Sequence, residues 1–310
     1  MQTKLLVALD GSRFAEQALP FAIAVARRQN AQLELALVWT PHPRDPDPGR
    51  PADYLDGLVG QIGSQLPDAV TRELLSTPAD PLEYPPPASN AVADVLAQHA
   101  VDVDASLIIV TTHGHGGLRR AWLGSVADSL IRMAGVPVLL IRPEDEEFGG
   151  ALRADRGLGH VLIPLDGTAR AEEAIPHALA LGSPFAARYT LLRVVSPLSW
   201  DVSPHAYDPY PAFTSPLSRD AVEAELEKVA EPLREAGHTI LTHVTDDVSP
   251  ARAILQYAEE HDIDVIALGT GGAGALRRMI LGSVSDKVIR GSEVPVLVCN
   301  VRRLQEGGQS

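Results

Sequence analysis

Two stretches of the chain carry glycines at a spacing that suits an anion. In the second half, Gly269, Gly272, Gly282 and Ser283 read Gly-x2-Gly-x9-Gly-Ser; in the first half the same positions are Thr111, Gly114, Gly124 and Ser125. Each set begins where an apolar run ends, at 106–111 and at 265–268. Glycine has no Cβ, so backbone N–H groups can approach a ligand closely. A helix starting at Ser125 or Ser283 adds free amides and a positive dipole end, which favour phosphate. The pattern is not a dinucleotide fingerprint, because the first strand of each half runs into Asp-Gly-Ser or Asp-Gly-Thr, and no Gly-Lys-Ser/Thr ends a phosphate loop. Ser125 and Ser283 each precede an aspartate three residues on, so a capping box is the plainer expectation for them. Arg119, Arg120, Arg277 and Arg278 lie between the glycines and suit either phosphate screening or a solvated face. His113 and His115 have no histidine counterparts at Gly271 and Ala273, so no metal pair is expected there.

The elements that would position these residues alternate. Apolar runs at 4–9, 33–39, 70–76, 106–111 and 136–141 predict strands, with helices over 14–28, 53–66, 91–100 and 125–134 between them. Pro20 should break or kink the first helix. The second half repeats the order, with strands at 161–165, 189–195, 238–244, 265–268 and 294–299 and helices over 169–181, 219–236, 251–260 and from Ser283. Leu9, Asp10, Gly11, Ala15, Glu16, Ala18, Pro20 and Ala22 match Leu165, Asp166, Gly167, Ala171, Glu172, Ala174, Pro176 and Ala178 in one register. Leu-Gly-Ser-Val at 123–126 recurs at 281–284, and Val-Pro-Val-Leu at 136–139 recurs at 294–297. The chain is a duplication. Its halves differ most at the loop 196–217, which holds Trp200, Tyr207, Tyr210 and Phe213 and reads as an insertion.

This alternation predicts an α/β fold: two doubly wound domains, each a five-stranded mostly parallel sheet with helices on both faces. The expected domains are 1–143 and 160–303, joined by an acidic, glycine-containing linker at 144–159 and followed by a flexible tail at 304–310. A chain of 310 residues with 45% apolar content has enough material for two cores. The net charge of −14 disfavours nucleic acid and anionic lipid as partners. No run is long and apolar enough for a membrane helix, no signal-peptide pattern opens the chain, and the single cysteine, Cys299, lies in an apolar run. A cytoplasmic location is therefore expected.

The Asp-Gly-Ser/Thr turns, the Ala-Glu-x-Ala-x-Pro helices, the glycine motif with Leu-Gly-Ser-Val and the closing Val-Pro-Val-Leu strands together resemble the universal stress protein family in its tandem form. That resemblance covers nearly the whole chain and implies the adenine nucleotide alpha hydrolase-like fold. It also implies a site for ATP or a related adenine nucleotide. Gly114, Gly124 and Ser125 in the first domain, and Gly269, Gly272, Gly282 and Ser283 in the second, would face the phosphates. Asp10 and Asp166 would hold the adenosine part, where a carboxylate can accept from ribose hydroxyls or a base amine, although a turn aspartate is the simpler alternative. The backbone at Val38 and Val194 would meet the adenine edge. Thr111 departs from the pattern by placing a Cβ where the family has glycine. A metal such as Mg2+ between the phosphates and Asp10 or Asp166 would permit slow hydrolysis. The resemblance further implies that the last strands of the halves pair as an intrachain pseudo-dimer, with homodimerisation open. The expected role is a nucleotide-responsive stress or signalling module; the rivals are a nucleotide hydrolase on the same scaffold and a nucleotide-free scaffold.

Overall fold

The computed structural model describes residues 3–40, 49–77, 89–112, 123–143, 157–195, 219–269 and 281–299. The chain divides into two compact units: Met1–Gly157 with Thr270–Leu281 and Pro295–Ser310, and Leu158–Gly269 with Gly282–Val294.

The first unit contains strands β1 (Lys4–Leu9), β2 (Gln32–Trp39), β3 (Val70–Ser76), β4 (Ala105–Thr111) and β5 (Val138–Ile141). They lie side by side as β3-β2-β1-β4-β5, all parallel. The chain's last strand, β10 (Val296–Cys299), joins this unit antiparallel to β5, with Leu297 opposite Leu139. Leu5–Leu9 of β1 are all buried, the continuous apolar run of a strand covered on both faces. Its helices are α1 (Arg13–Glu16), α2 (Leu19–Gln29), α3 (Gly49–Gly63), α4 (Ser89–Asp102) and α5 (Ser125–Met133). The helix expected over 14–28 is thus two, and Pro20 sits in the first turn of α2, where a missing N–H leaves no hydrogen bond unmade. At the far end of the sheet from the β1 turn, Glu34 is buried between Lys4 Nζ at 3.1 Å and His99 Nε2 at 2.5 Å.

The second unit contains β6 (His160–Pro164), β7 (Arg188–Val195), β8 (Thr239–Asp246) and β9 (Val265–Gly269), ordered β9-β6-β7-β8 and parallel. Its helices are α6 (Ala169–Glu172), α7 (Ala174–Gly182), α8 (Arg219–Glu235), α9 (Pro250–Glu260) and α10 (Ser283–Gly291). The break before Pro20 recurs as the break between α6 and α7 before Pro176. Where the first unit buries Glu34, the second buries His160, whose Nδ1 donates to the His261 carbonyl at 3.1 Å and whose Nε2 accepts from Thr190 Oγ1 at 2.8 Å. The doubly wound, mostly parallel α/β arrangement expected from the alternation is the one adopted. Cys299 is fully buried in β10.

Candidate functional site

In each unit the winding reverses beside the first strand, between β1 and β4 and between β6 and β9. That reversal opens a crevice beyond the carboxyl ends, where ligands of such sheets bind. Asp10 directly follows β1, Asp166 lies two residues past β6, and Thr111 and Gly269 are the last residues of β4 and β9. Val38 and Val194 are the penultimate residues of β2 and β7, paired with Leu75 and Thr245. Both sets therefore gather at one sheet end. Gly114 and Gly272, with Arg119, Arg120, Arg277, Arg278, His113, His115 and the loop 196–217, lie outside the described residues.

The two aspartates build the same turn. Asp10 Oδ1 accepts from the Ser12 amide at 2.9 Å and its hydroxyl at 2.6 Å; Asp166 Oδ1 accepts from Thr168 at the same two distances. Ser12 and Thr168 in turn cap α1 and α6, accepting from Ala15 N at 3.1 Å and Ala171 N at 3.3 Å. Between them Gly11 and Gly167 adopt φ of +81° and +82°, a region costly for a residue with Cβ. Both carboxylates are exposed, and the turn takes Oδ1 of each.

The helix starts correct one expectation. Ser125 and Ser283 are not N-caps; Gly124 and Gly282 are, with φ near −58° and −59° and no side-chain cap bond. The aspartates of the expected capping boxes instead pair one turn on, Asp128 with Arg132 and Asp286 with Arg290, each at 2.9 Å. With the N-cap at Gly124 and Gly282, those aspartates are the fourth helical residues, one past the position from which a capping box reaches back. The first helical bonds run from Asp128 N to Gly124 O at 2.8 Å and from Asp286 N to Gly282 O at 2.9 Å. The amides of Ser125, Val126 and Ala127, and of Ser283, Val284 and Ser285, thus lie outside the helical ladder. In the first unit the Gly124 amide donates to the Thr112 carbonyl at 2.6 Å, holding this helix start against the end of β4.

The two described glycines of the second motif lack a Cβ for different reasons. A Cβ on Gly269 would stand 2.3 Å from the Arg170 carbonyl oxygen and 2.9 Å from that of Ala171, so this glycine lets α6 pack on β9. Among the described residues, a Cβ on Gly282 would meet nothing nearer than Ser285 Oγ at 3.9 Å. Its backbone conformation is open to any residue, yet glycine is there. Thr111, the counterpart of Gly269, is buried at 5% exposure.

Two residues escaped the sequence reading. Tyr54 of α3 buries its hydroxyl beside the Glu16 carboxylate without a hydrogen bond of good geometry among the described residues. Burial, then the Glu16 and Asp10 carboxylates, raise its pKa. Nothing in the sequence singles it out. Arg193 of β7 packs its guanidinium on Gly167, with Nη2 2.3 Å from where a Cβ would stand. Its signal was legible: one arginine in the apolar run Leu191–Val195. Among the described residues no group of three or more histidines, cysteines or acids could hold a metal, and no helix is long and apolar enough to cross a membrane.

Parallel α/β units with aspartate turns and exposed helix N-termini at their switch points define a class of anion- and nucleotide-binding folds. A profile of the universal stress protein family matches residues 1–142 and 157–300, and the chain belongs to that family. It is similar to a universal stress protein of Methanocaldococcus jannaschii, 35% identical over 44% of this chain and 79% of that one. It is also similar to one of Mycobacterium tuberculosis, 30% identical over 63% of this chain and 62% of that protein's length. The crystal structure of a universal stress protein from Archaeoglobus fulgidus shares the fold, with a TM-score of 0.65 at 19% identity, covering 96% of this chain and 98% of that one.

Proposed function

We propose that this tandem universal stress protein binds ATP or a related adenine nucleotide and acts as a nucleotide-responsive stress or signalling module in the cytoplasm. The observation that carries this reading is Gly282. It is an exposed N-cap where serine, aspartate or asparagine would stabilise the helix more, and among the described residues nothing stands nearer than 3.9 Å to where a Cβ would be. A glycine there suits a phosphate group that approaches the backbone itself. Ser283 and the amides beyond it would hold the phosphates, with Gly269 and Gly272 at the strand end. Asp166 would take the ribose and the Val194 backbone the base. Asp10, Val38, Gly114, Gly124 and Ser125 would do the same in the first domain. Bound Mg2+ would neutralise phosphate charge beside Asp10 or Asp166.

The reading takes domains at 1–143 and 160–303 with a linker at 144–159 and a tail at 304–310. The two family matches along the chain support an intrachain pseudo-dimer. Homodimerisation of whole chains is compatible with that arrangement. The net charge of −14 speaks against nucleic acid or anionic membrane as a partner.

The test is to denature the purified protein and identify released nucleotide by mass spectrometry, with its stoichiometry. Two adenine nucleotides per chain are expected if Thr111 is only a packing residue. Absence of any nucleotide, together with no calorimetric binding of ATP, would refute the reading.

A further inference from the structure

The outer strand of the second unit is bolted along its edge by its own helix. Strand β8 ends its sheet, with β7 on one side, so alternate residues turn their backbone groups outward. The Asp247 amide donates to the Val195 carbonyl at 3.0 Å, which sets the odd-numbered residues toward β7 and Ile240, Thr242, Val244 and Asp246 toward the edge. Helix α8 packs on the face where Ile240 and Val244 are buried, and three of its side chains extend to that edge. Arg219 Nη2 donates to the Val244 carbonyl at 2.6 Å, with Nε on Glu223 at 2.9 Å and Nη1 on Asp246 at 3.0 Å. Arg234 Nε donates to the Ile240 carbonyl at 3.0 Å, with Nη1 on Glu227 at 2.5 Å. Between them Glu227 accepts from the Thr242 hydroxyl.

Exposed ion pairs of this kind contribute little to stability, so the use of these arginines lies in where their guanidinium groups stand. Each occupies a carbonyl that an incoming strand needs for its ladder. We propose that Arg219 and Arg234 form a clamp that keeps the edge of β8 from pairing with β8 of a second copy of this chain. The strand is well suited to itself. Between Thr239 and Thr245 its only ionisable side chain is His243. Antiparallel pairing centred on Thr242 sets Ile240 opposite Val244 and Asp246 opposite His238, with no like charges across. The contact is two-fold and closed, since the same edge serves both copies. Leu241, left 46% exposed, would be covered by the facing strand. In the first unit the matching charge sits on the strand itself: Arg72 of β3, in the register position of Thr242, pairs with Asp56 of α3 at 2.8 Å. Association of whole chains through β8 therefore requires α8 to release its two arginines.

The test is sedimentation velocity of the full chain over a range of concentrations, wild type against Arg219→Ala/Arg234→Ala, with circular dichroism melting to check folding. The double variant is expected to double the wild-type mass, at a concentration about tenfold or more below any at which the wild type does so. Thr242→Pro, added to the double variant, should restore the wild-type mass. A proline there removes the outward N–H that a second strand needs and leaves the bonds to β7 in place. Each single variant keeps one arginine and should associate more weakly than the double. A folded double variant that keeps the wild-type mass would overturn the inference. So would association that Thr242→Pro does not reverse, which would put the contact on another surface. If the double variant does not fold, the single variants decide: wild-type mass in both overturns the clamp, and association that Thr242→Pro reverses upholds it.

Discussion

Replacing Gly269 and Gly282 by alanine separates packing from binding. A methyl at Gly269 would overlap the Arg170 carbonyl at 2.3 Å and touch Ala171 Cα at 3.0 Å, both backbone of α6, which cannot rotate away. Normal carbon–oxygen contact needs about 1 Å more, so α6 or β9 must shift, an overpacking cost of about 1–3 kcal/mol. Lost chain freedom in the unfolded state returns at most about 1 kcal/mol. A net loss of about 1–2 kcal/mol is expected, a fall of roughly 2–8 °C in the melting temperature of a unit this size. At Gly282 the methyl has 3.9 Å of clearance, so the weak-cap cost and the chain-stiffening gain, each about 0.5–1 kcal/mol, nearly cancel. Urea denaturation followed by circular dichroism reads stability, and ATP calorimetry reads binding. Gly269→Ala should lose stability, whereas Gly282→Ala should lose affinity at near-constant stability. A Gly269→Ala protein as stable as wild type would refute the packing argument and return Gly269 to the ligand.

Further outcomes follow from the buried polar groups. Glu34→Ala leaves Lys4 and His99 facing a low-polarity site without their shared carboxylate, and a loss of about 3 kcal/mol is expected in urea unfolding. Burial first, then Arg188, lowers the His160 pKa from its ordinary 6.5, and burial lowers His177 and His243 too. The unfolded chain therefore binds protons that the folded second unit resists. Stability should be full above about pH 6.5 and decline as the pH falls below it. Urea midpoints measured between pH 8 and 5.5 check this, and His160→Gln should flatten the slope; a midpoint rising on acidification would contradict it.

The duplication, the strand order and the placement of Asp10, Asp166, Val38 and Val194 at one sheet end were legible because apolar runs and repeated motifs record strands directly. Pro20 marked its helix break for the same reason, a ring without an N–H having few places to go. The helix expected over 169–181, by contrast, is broken into α6 and α7 before Pro176, a break not read from the sequence. The capping box misled because each helix starts one residue early, at Gly124 and Gly282, which leaves Asp128 and Asp286 one position too far along to cap it. The packing of α6 on Gly269 was not legible, because that contact joins segments about a hundred residues apart, which local pattern does not encode. Arg193 was visible as an oddity, but its meaning needed Gly167 beneath it. Tyr54 gave no signal, since a buried hydroxyl without a well-formed hydrogen bond is a property of the packed state alone.

The placement of β10 has a temporal consequence. Chains fold as they leave the ribosome, amino-terminal parts first. The first unit cannot complete its sheet edge until Val296–Cys299 has been synthesised, so β5 waits beside open solvent while the entire second repeat is made. An edge left open for that long is a pairing liability, and it is the chain's own last strand that removes it.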